Sequence, residues 1–114
     1  MNKIAIDQKF NIGPKEPLTI IAGPCQIESL EHCRMMAEEI LTASADLPIN
    51  LIFKSSYDKA NRTSGKSKRG VGIEEGLRVL SIIKEEFNLP VTTDIHSPEP
   101  VSYTHLTLPT KRIV

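Results

Sequence analysis

Residues 49–69 read INLIFKSSYDKANRTSGKSKR, and the joint inside this stretch decides the fold. Its first five residues, Ile49-Asn50-Leu51-Ile52-Phe53, form a short apolar run of the kind that fills a buried strand. At Lys54 the composition turns over. Residues 54–69 hold six cations (Lys54, Lys59, Arg62, Lys66, Lys68, Arg69) and one acid, Asp58. A buried strand ending in a long loop of Lys, Arg, Ser, Thr, Asn and Gly has the residue types an anion site needs. Arg offers phosphate a fixed fork of donors, and Lys a mobile point charge. The plainer alternative is a solvated basic surface loop. The chain's net charge is 0, so the cations are a local enrichment, which favours a site over a generally basic protein.

Outward from this joint the pattern alternates. Leu18-Thr19-Ile20-Ile21-Ala22, closed by Gly23-Pro24, reads as an earlier buried strand. Ser29 is placed to cap a helix whose apolar residues Leu30, Cys33, Ala37, Ile40 and Leu41 recur at helical spacing. His32 stands where a capping box would need Glu or Gln, so no box is expected. After the basic loop a second helix is predicted from Ile73, with Glu74 and Glu75 in its first turn and a buried face of Ile73, Leu77, Leu80, Ile83 and Phe87. Asn88-Leu89-Pro90 ends it, and Val91-Thr92-Thr93 begins a third strand. Strand–helix–strand–helix–strand is the order of parallel α/β proteins. Residues 3–12 alternate in part (Ile4, Ile6, Phe10, Ile12) and predict a small hairpin, with Asn11 and Gly13 as its turn chemistry.

Composition narrows the function classes. At 39% hydrophobic and 25% charged residues the chain suits an ordinary globular domain. No apolar run approaches the roughly 20 residues of a membrane span, and the first residues carry no signal-peptide core. Cys25 and Cys33 make no disulfide framework, so a cytoplasmic location is the default. Neutral charge, 4% aromatics and no nucleic-acid motif argue against nucleic acid as a partner.

The wording of three segments narrows the reading further. FKSSYDKANRTS at residues 53–64, IAGPCQIES at 21–29 and TTDIH at 92–96 together resemble the 3-deoxy-D-manno-octulosonate 8-phosphate synthase family, over about residues 18–98. The resemblance implies the N-terminal part, about three strands and two helices, of a (β/α)8 TIM barrel with an N-terminal β-hairpin. A whole barrel takes roughly 250 residues, so the chain is expected to be a fragment of a larger enzyme. Loops after barrel strands gather at one face and build the active site, so the three segments would converge there. The implied reaction condenses phosphoenolpyruvate with D-arabinose 5-phosphate, a step toward lipopolysaccharide, in a homo-oligomeric parent.

The resemblance also implies roles. Cys25 would be a thiolate ligand to a divalent metal, since metal-dependent members of this family carry Cys here and metal-independent members Asn. The other ligands, a His, a Glu and an Asp, would come from later strands. Taken by itself, Cys25 reads as a small buried hydrophobe, the commonest fate of a free Cys, since no His or Cys partner lies at a typical ligand spacing. Cys33 reads as packing and His32 as surface. Lys54 and Lys59, with Ser56 nearby, would line the phosphoenolpyruvate pocket. Asn61, Arg62 and Thr63 would hold arabinose 5-phosphate, with Thr63 in place of the family's usual Ser. Asp94 and His96, at the end of the third strand, would face the active site with Lys59. The plainer reading of Asp94 and His96 is a hydrogen-bonded structural pair. Lys66, Lys68 and Arg69 read as surface charge.

From about residue 99 the pattern fails. Residues 100–114 contain Pro100 and Pro109 and show no helical period where a third helix is due. The expected division is therefore a barrel fragment over 1–99 and a non-native or disordered tail over 100–114. Two rival functions remain. One is the related 3-deoxy-D-arabino-heptulosonate 7-phosphate synthase activity, disfavoured by Asn61. The other is a non-catalytic anion-binding module.

Overall fold

The computed structural model describes residues 3–57 and 72–94. The reading of residues 100–114 as a tail lies outside the described residues. In order, the elements are β1 (Ile4–Ile6), β2 (Phe10–Ile12), β3 (Leu18–Ala22), α1 (Leu30–Ser44), β4 (Ile49–Lys54), α2 (Ile73–Phe87) and β5 (Val91–Thr92).

β3, β4 and β5 form one parallel sheet in that order. Leu18 pairs with Ile49 and Ala22 with Phe53, and the next ladder sets Phe53 against Val91 and Lys54 against Thr92. Each parallel pair needs a long crossover, and α1 and α2 lie in the two connections. Both helices lay an apolar stripe into a shared core with the sheet, built on Cys33, Ala37, Phe53, Leu77, Val79, Leu80, Ile83 and Val91. β4, in the middle, buries Ile52 and Phe53, whereas β3 leaves Leu18 66% and Ile21 56% exposed.

The helix ends follow local chemistry. Ser29 is extended, and its Oγ accepts from the His32 N–H at 3.0 Å, satisfying one orphan donor of α1. Asn88 closes α2 in the left-handed region with φ 55°, a C-terminal conformation open to Asn. The buried face of α2 is wider than its predicted stripe. Gly76 and Val79 are buried with Leu77, Leu80 and Ile83, because the helix also packs on α1 and β5.

The hairpin forms as predicted, with Ile4 opposite Ile12, but its turn does not. The reversal falls at Asp7 and Gln8, with φ 53° and 58°, closed by Lys9 N–H donating to Ile6 O at 2.9 Å. Two successive left-handed residues match the twist of a two-residue hairpin loop. Asn11, expected in the turn, lies in β2 opposite Ala5. Asp7 reaches Lys84 at 3.5 Å, and Lys9 Nζ donates to Asn88 Oδ1. The hairpin therefore sits beside the C-terminus of α2, at the end of the sheet where strands begin. A cleft of about 490 Å³ separates Phe10 from Leu41, Leu51 and Leu89 there.

Candidate functional site

The candidate site is the opposite rim, where β3, β4 and β5 end. The register sets its rows. Gly23 follows Ala22 beside Lys54, and Ser56 and Asp94 each lie two residues past the pair Lys54 and Thr92. Ser56 and Asp94 are thus level, and Ser56 Oγ donates to Asp94 Oδ1 at 2.6 Å. Pairing resumes beyond β3 at Gln26, which bridges to Ser56. The offset between partners falls from 31 at Ala22 to 30 at Gln26, so residues 23–25 carry one extra residue against β4. An extra residue in one strand bends it and re-aims a side chain. Cys25 lies in this bulge and is exposed.

Gly23 makes the close approach of the two strand ends possible. A Cβ there would stand 1.8 Å from the Lys54 carbonyl oxygen, and backbone cannot yield as a flexible side chain would. Beyond it, Ser55 Oγ donates to Pro24 O at 2.7 Å. Ser55 N–H reaches Thr92 O at 3.4 Å, and Ile27 N–H donates to Ser56 O at 2.8 Å. Ser55 and Ser56 are 1% and 0% exposed, so the rim is a bonded unit rather than a set of loose loop ends.

Tyr57 then turns under the rim and is buried on α2. A Cβ at Gly76 would meet Tyr57 Cβ at 2.5 Å and Ile27 Cδ1 at 3.5 Å. The glycine thus lets Tyr57 and Ile27 seat against the first turns of the helix. Gly72, the N-cap of α2, lies one turn before Gly76 and is joined to it by the Gly76 N–H to Gly72 O bond at 2.9 Å. Tyr57 and Gly72, the described residues on either side of 58–71, therefore both lie beside the rim.

Of the residues singled out from sequence, the rim brings together Cys25, Lys54, Ser56 and Asp94. Lys54 and Asp94 are half-buried. Asp94 stands two residues past the end of β5 rather than within a strand. Lys59, Asn61, Arg62, Thr63 and His96 lie outside the described residues, as do Lys66, Lys68 and Arg69. Cys33 is fully buried, and its thiol is pushed up to about 11, first by burial and then by Glu28. His32 is half-buried rather than on the surface, and its Nδ1 has no hydrogen-bond partner among the described residues. A helical side chain leans over the turn before it, which here is the Ser29 cap. Sequence reading missed Gln26 and Ser55, both buried in the rim. The bulge that places them is a property of pairing, and no single residue announces it.

Among the described residues no group of three His, Cys, Asp or Glu side chains can hold a metal ion. Cys25 alone does not make a metal site.

Comparison with known proteins adds to this geometry. The sequence model of the DAHP synthetase I family matches residues 1–110. A 2-dehydro-3-deoxyphosphooctonate aldolase of Protochlamydia amoebophila (strain UWE25) is 54% identical over 99 residues, covering 87% of this chain and 36% of the relative. One of Rickettsia bellii (strain OSU 85-389) is 52% identical over 97 residues, 85% of this chain and 35% of the relative. The chain thus spans about a third of the length of these curated relatives. Among the described residues no helix is long and apolar enough to cross a membrane.

Proposed function

The chain belongs to the DAHP synthetase I family, and on that premise we propose that it is the N-terminal part of a 3-deoxy-D-manno-octulosonate 8-phosphate synthase. The observation that carries the choice within the family is the 54% and 52% identity to proteins named for that product's aldolase activity. The parallel β-α-β-α-β unit is read as the first three strands of a (β/α)8 barrel whose active site lies on the rim. Residues 100–114 are read as lying outside that barrel, although the family match runs on to residue 110.

In the proposed reaction, C3 of phosphoenolpyruvate attacks the aldehyde carbon of D-arabinose 5-phosphate. Water adds at C2 of the former enol phosphate, and inorganic phosphate leaves. Lys54 and Lys59 offset the negative charge of phosphoenolpyruvate, and Ser56 lies in the rim, bonded to Asp94. Arg62 and Thr63 take the sugar phosphate and Asn61 a sugar hydroxyl. Asp94, at the rim, is proposed to act on the reacting groups together with His96. The protein's contribution is to hold two anionic substrates together and neutralise their charge. Cys25, turned outward by the bulge, is proposed as one thiolate ligand of a divalent metal whose remaining ligands lie on later strands. Such a metal would supply Lewis acidity when bound. The parent is proposed to be a cytoplasmic homo-oligomer.

The test is made on the full-length enzyme carrying this sequence. Phosphate release from phosphoenolpyruvate is followed with arabinose 5-phosphate, with erythrose 4-phosphate and with neither. Release that needs arabinose 5-phosphate is expected. Dependence on erythrose 4-phosphate would move the chain to the heptulosonate branch. No release with either sugar, together with RNA retardation in a gel, would favour a binding module. Cys25→Ala is expected to lose bound metal, read by elemental analysis, and Cys33→Ala to keep it.

A further inference from the structure

We propose that Ser55 and Ser56 are positioning residues that lock the rim. Ser55 fixes the loop that carries Cys25, Ser56 fixes the carboxylate of Asp94, and neither hydroxyl meets substrate. The functional half of this inference rests on the rim being the active site; the lock itself does not.

A serine hydroxyl has one proton to donate. That of Ser55 goes to Pro24 O at 2.7 Å, and that of Ser56 to Asp94 Oδ1 at 2.6 Å. Both residues are at most 1% exposed, which leaves a substrate no approach to either oxygen. The backbone of the same two residues runs the opposite way. Ser55 N–H reaches Thr92 O toward β5, while its side chain turns to β3. Ser56 O accepts from Ile27 N–H toward β3, while its side chain turns to β5. Each serine therefore holds both neighbouring strand ends, once through its backbone and once through its side chain.

The rim needs such a lock because regular pairing is broken there. The bulge at residues 23–25 interrupts the β3–β4 ladder, and Pro24 has no N–H to contribute. The Ser55 hydroxyl supplies a bond to the Pro24 carbonyl next to the exposed Cys25. On the other side, β5 ends at Thr92, so ladder bonds do not orient Asp94. The Ser56 hydroxyl does so, and a bond to a carboxylate is stronger than one between neutral groups.

The lock is tested in two arms. In the full-length protein carrying this sequence, Ser55→Ala is expected to speed amide hydrogen exchange at Cys25, Gln26 and Ile27 by about tenfold or more, leaving Leu80 and Ile83 in α2 unchanged. Unchanged exchange at all three rim amides would overturn the lock. This arm reads geometry alone, so it stands or falls separately from the synthase reading. In the full-length enzyme, Ser56→Ala is expected to lower kcat by about tenfold or more, with KM for phosphoenolpyruvate nearly unchanged. Ser56→Ala combined with Asp94→Asn should be no worse than Asp94→Asn alone, as for two groups acting as one. A large rise in KM with kcat intact, or effects that multiply in the double variant, would make Ser56 a substrate ligand and overturn the assignment. If Ser56→Ala does not fold, Ser56→Cys fills the position with a slightly larger group and a weaker donor and carries the same expectation.

Discussion

At the scale of single residues, the two cysteines show how position sets chemistry. Cys25 is exposed on a bulge, while Cys33 is sealed in the core. Burial first, and Glu28 second, raise the Cys33 thiol from the ordinary 9.0 to about 11. Below the ordinary value both the folded and unfolded thiol keep their proton, and pH has no leverage through it. Above it the unfolded chain ionises while the folded one does not, so stability falls as pH climbs toward the folded value. The gap in urea midpoint between the parent and Cys33→Ala should therefore narrow from about pH 8 to about pH 10.5. A constant gap would mean that Cys33 titrates normally. Arg62 lies outside the described residues, and its chemistry alone supports a second expectation. In the full-length enzyme, Arg62→Ala should raise KM for arabinose 5-phosphate tenfold to a hundredfold, since a charge-assisted bond is worth about 1.5–3 kcal/mol. Arg62→Lys should recover little, because the forked geometry is lost. Equal weakening of both substrates would reduce the loop to a structural role.

At the scale of elements, α2 sets two effects against each other at Gly76. Alanine is the better helix former by about 1 kcal/mol. Its Cβ would nevertheless lie 2.5 Å from Tyr57 Cβ, and overpacking typically costs about 1–3 kcal/mol. Tyr57 cannot swing away by rotating its ring, since the close atom is its own Cβ. The clash should win, so Gly76→Ala should lower the urea midpoint. In a Tyr57→Gly background the same change should cost less, the Tyr57 Cα at 3.3 Å being the close contact that remains. Stabilisation of the parent by Gly76→Ala would show that Tyr57 does not seat on the helix. The elements themselves were largely legible. The apolar runs at 18–22 and 49–53 and the stripe of α2 need only period and length to be read. The hairpin was legible as an alternation, but its turn was not, because Asp7-Gln8 is a poor match to the Asn-Gly or Asp-Gly preference for such turns. The rim was legible at Lys54, Ser56 and Asp94 through the wording of their segments. Ser55, Gln26 and the bulge were not, because register arises only when two strands meet.

At the scale of the whole molecule, the sheet is open among the described residues. There β3 has no strand on its outer side, with Leu18 and Ile21 exposed, and β5 is two residues long. Unpaired edges with apolar neighbours invite association. The 114-residue chain should therefore sediment as concentration-dependent oligomers, and Leu18→Lys with Ile21→Lys should shift it toward monomer. It should also show no sugar-dependent phosphate release, because it supplies about a third of the relatives' length. A clean monomer at high concentration, or sugar-dependent turnover, would count against the fragment reading. The strand order carries a further consequence. Because β3, β4 and β5 lie side by side in the order of the sequence, each new strand leaving the ribosome finds its partner already made. Domains form from the N-terminus at the pace of synthesis, roughly 5–20 residues per second. The sheet can thus grow by addition at one edge, each new strand covering the one before it, while the outer edge of β3 stays open.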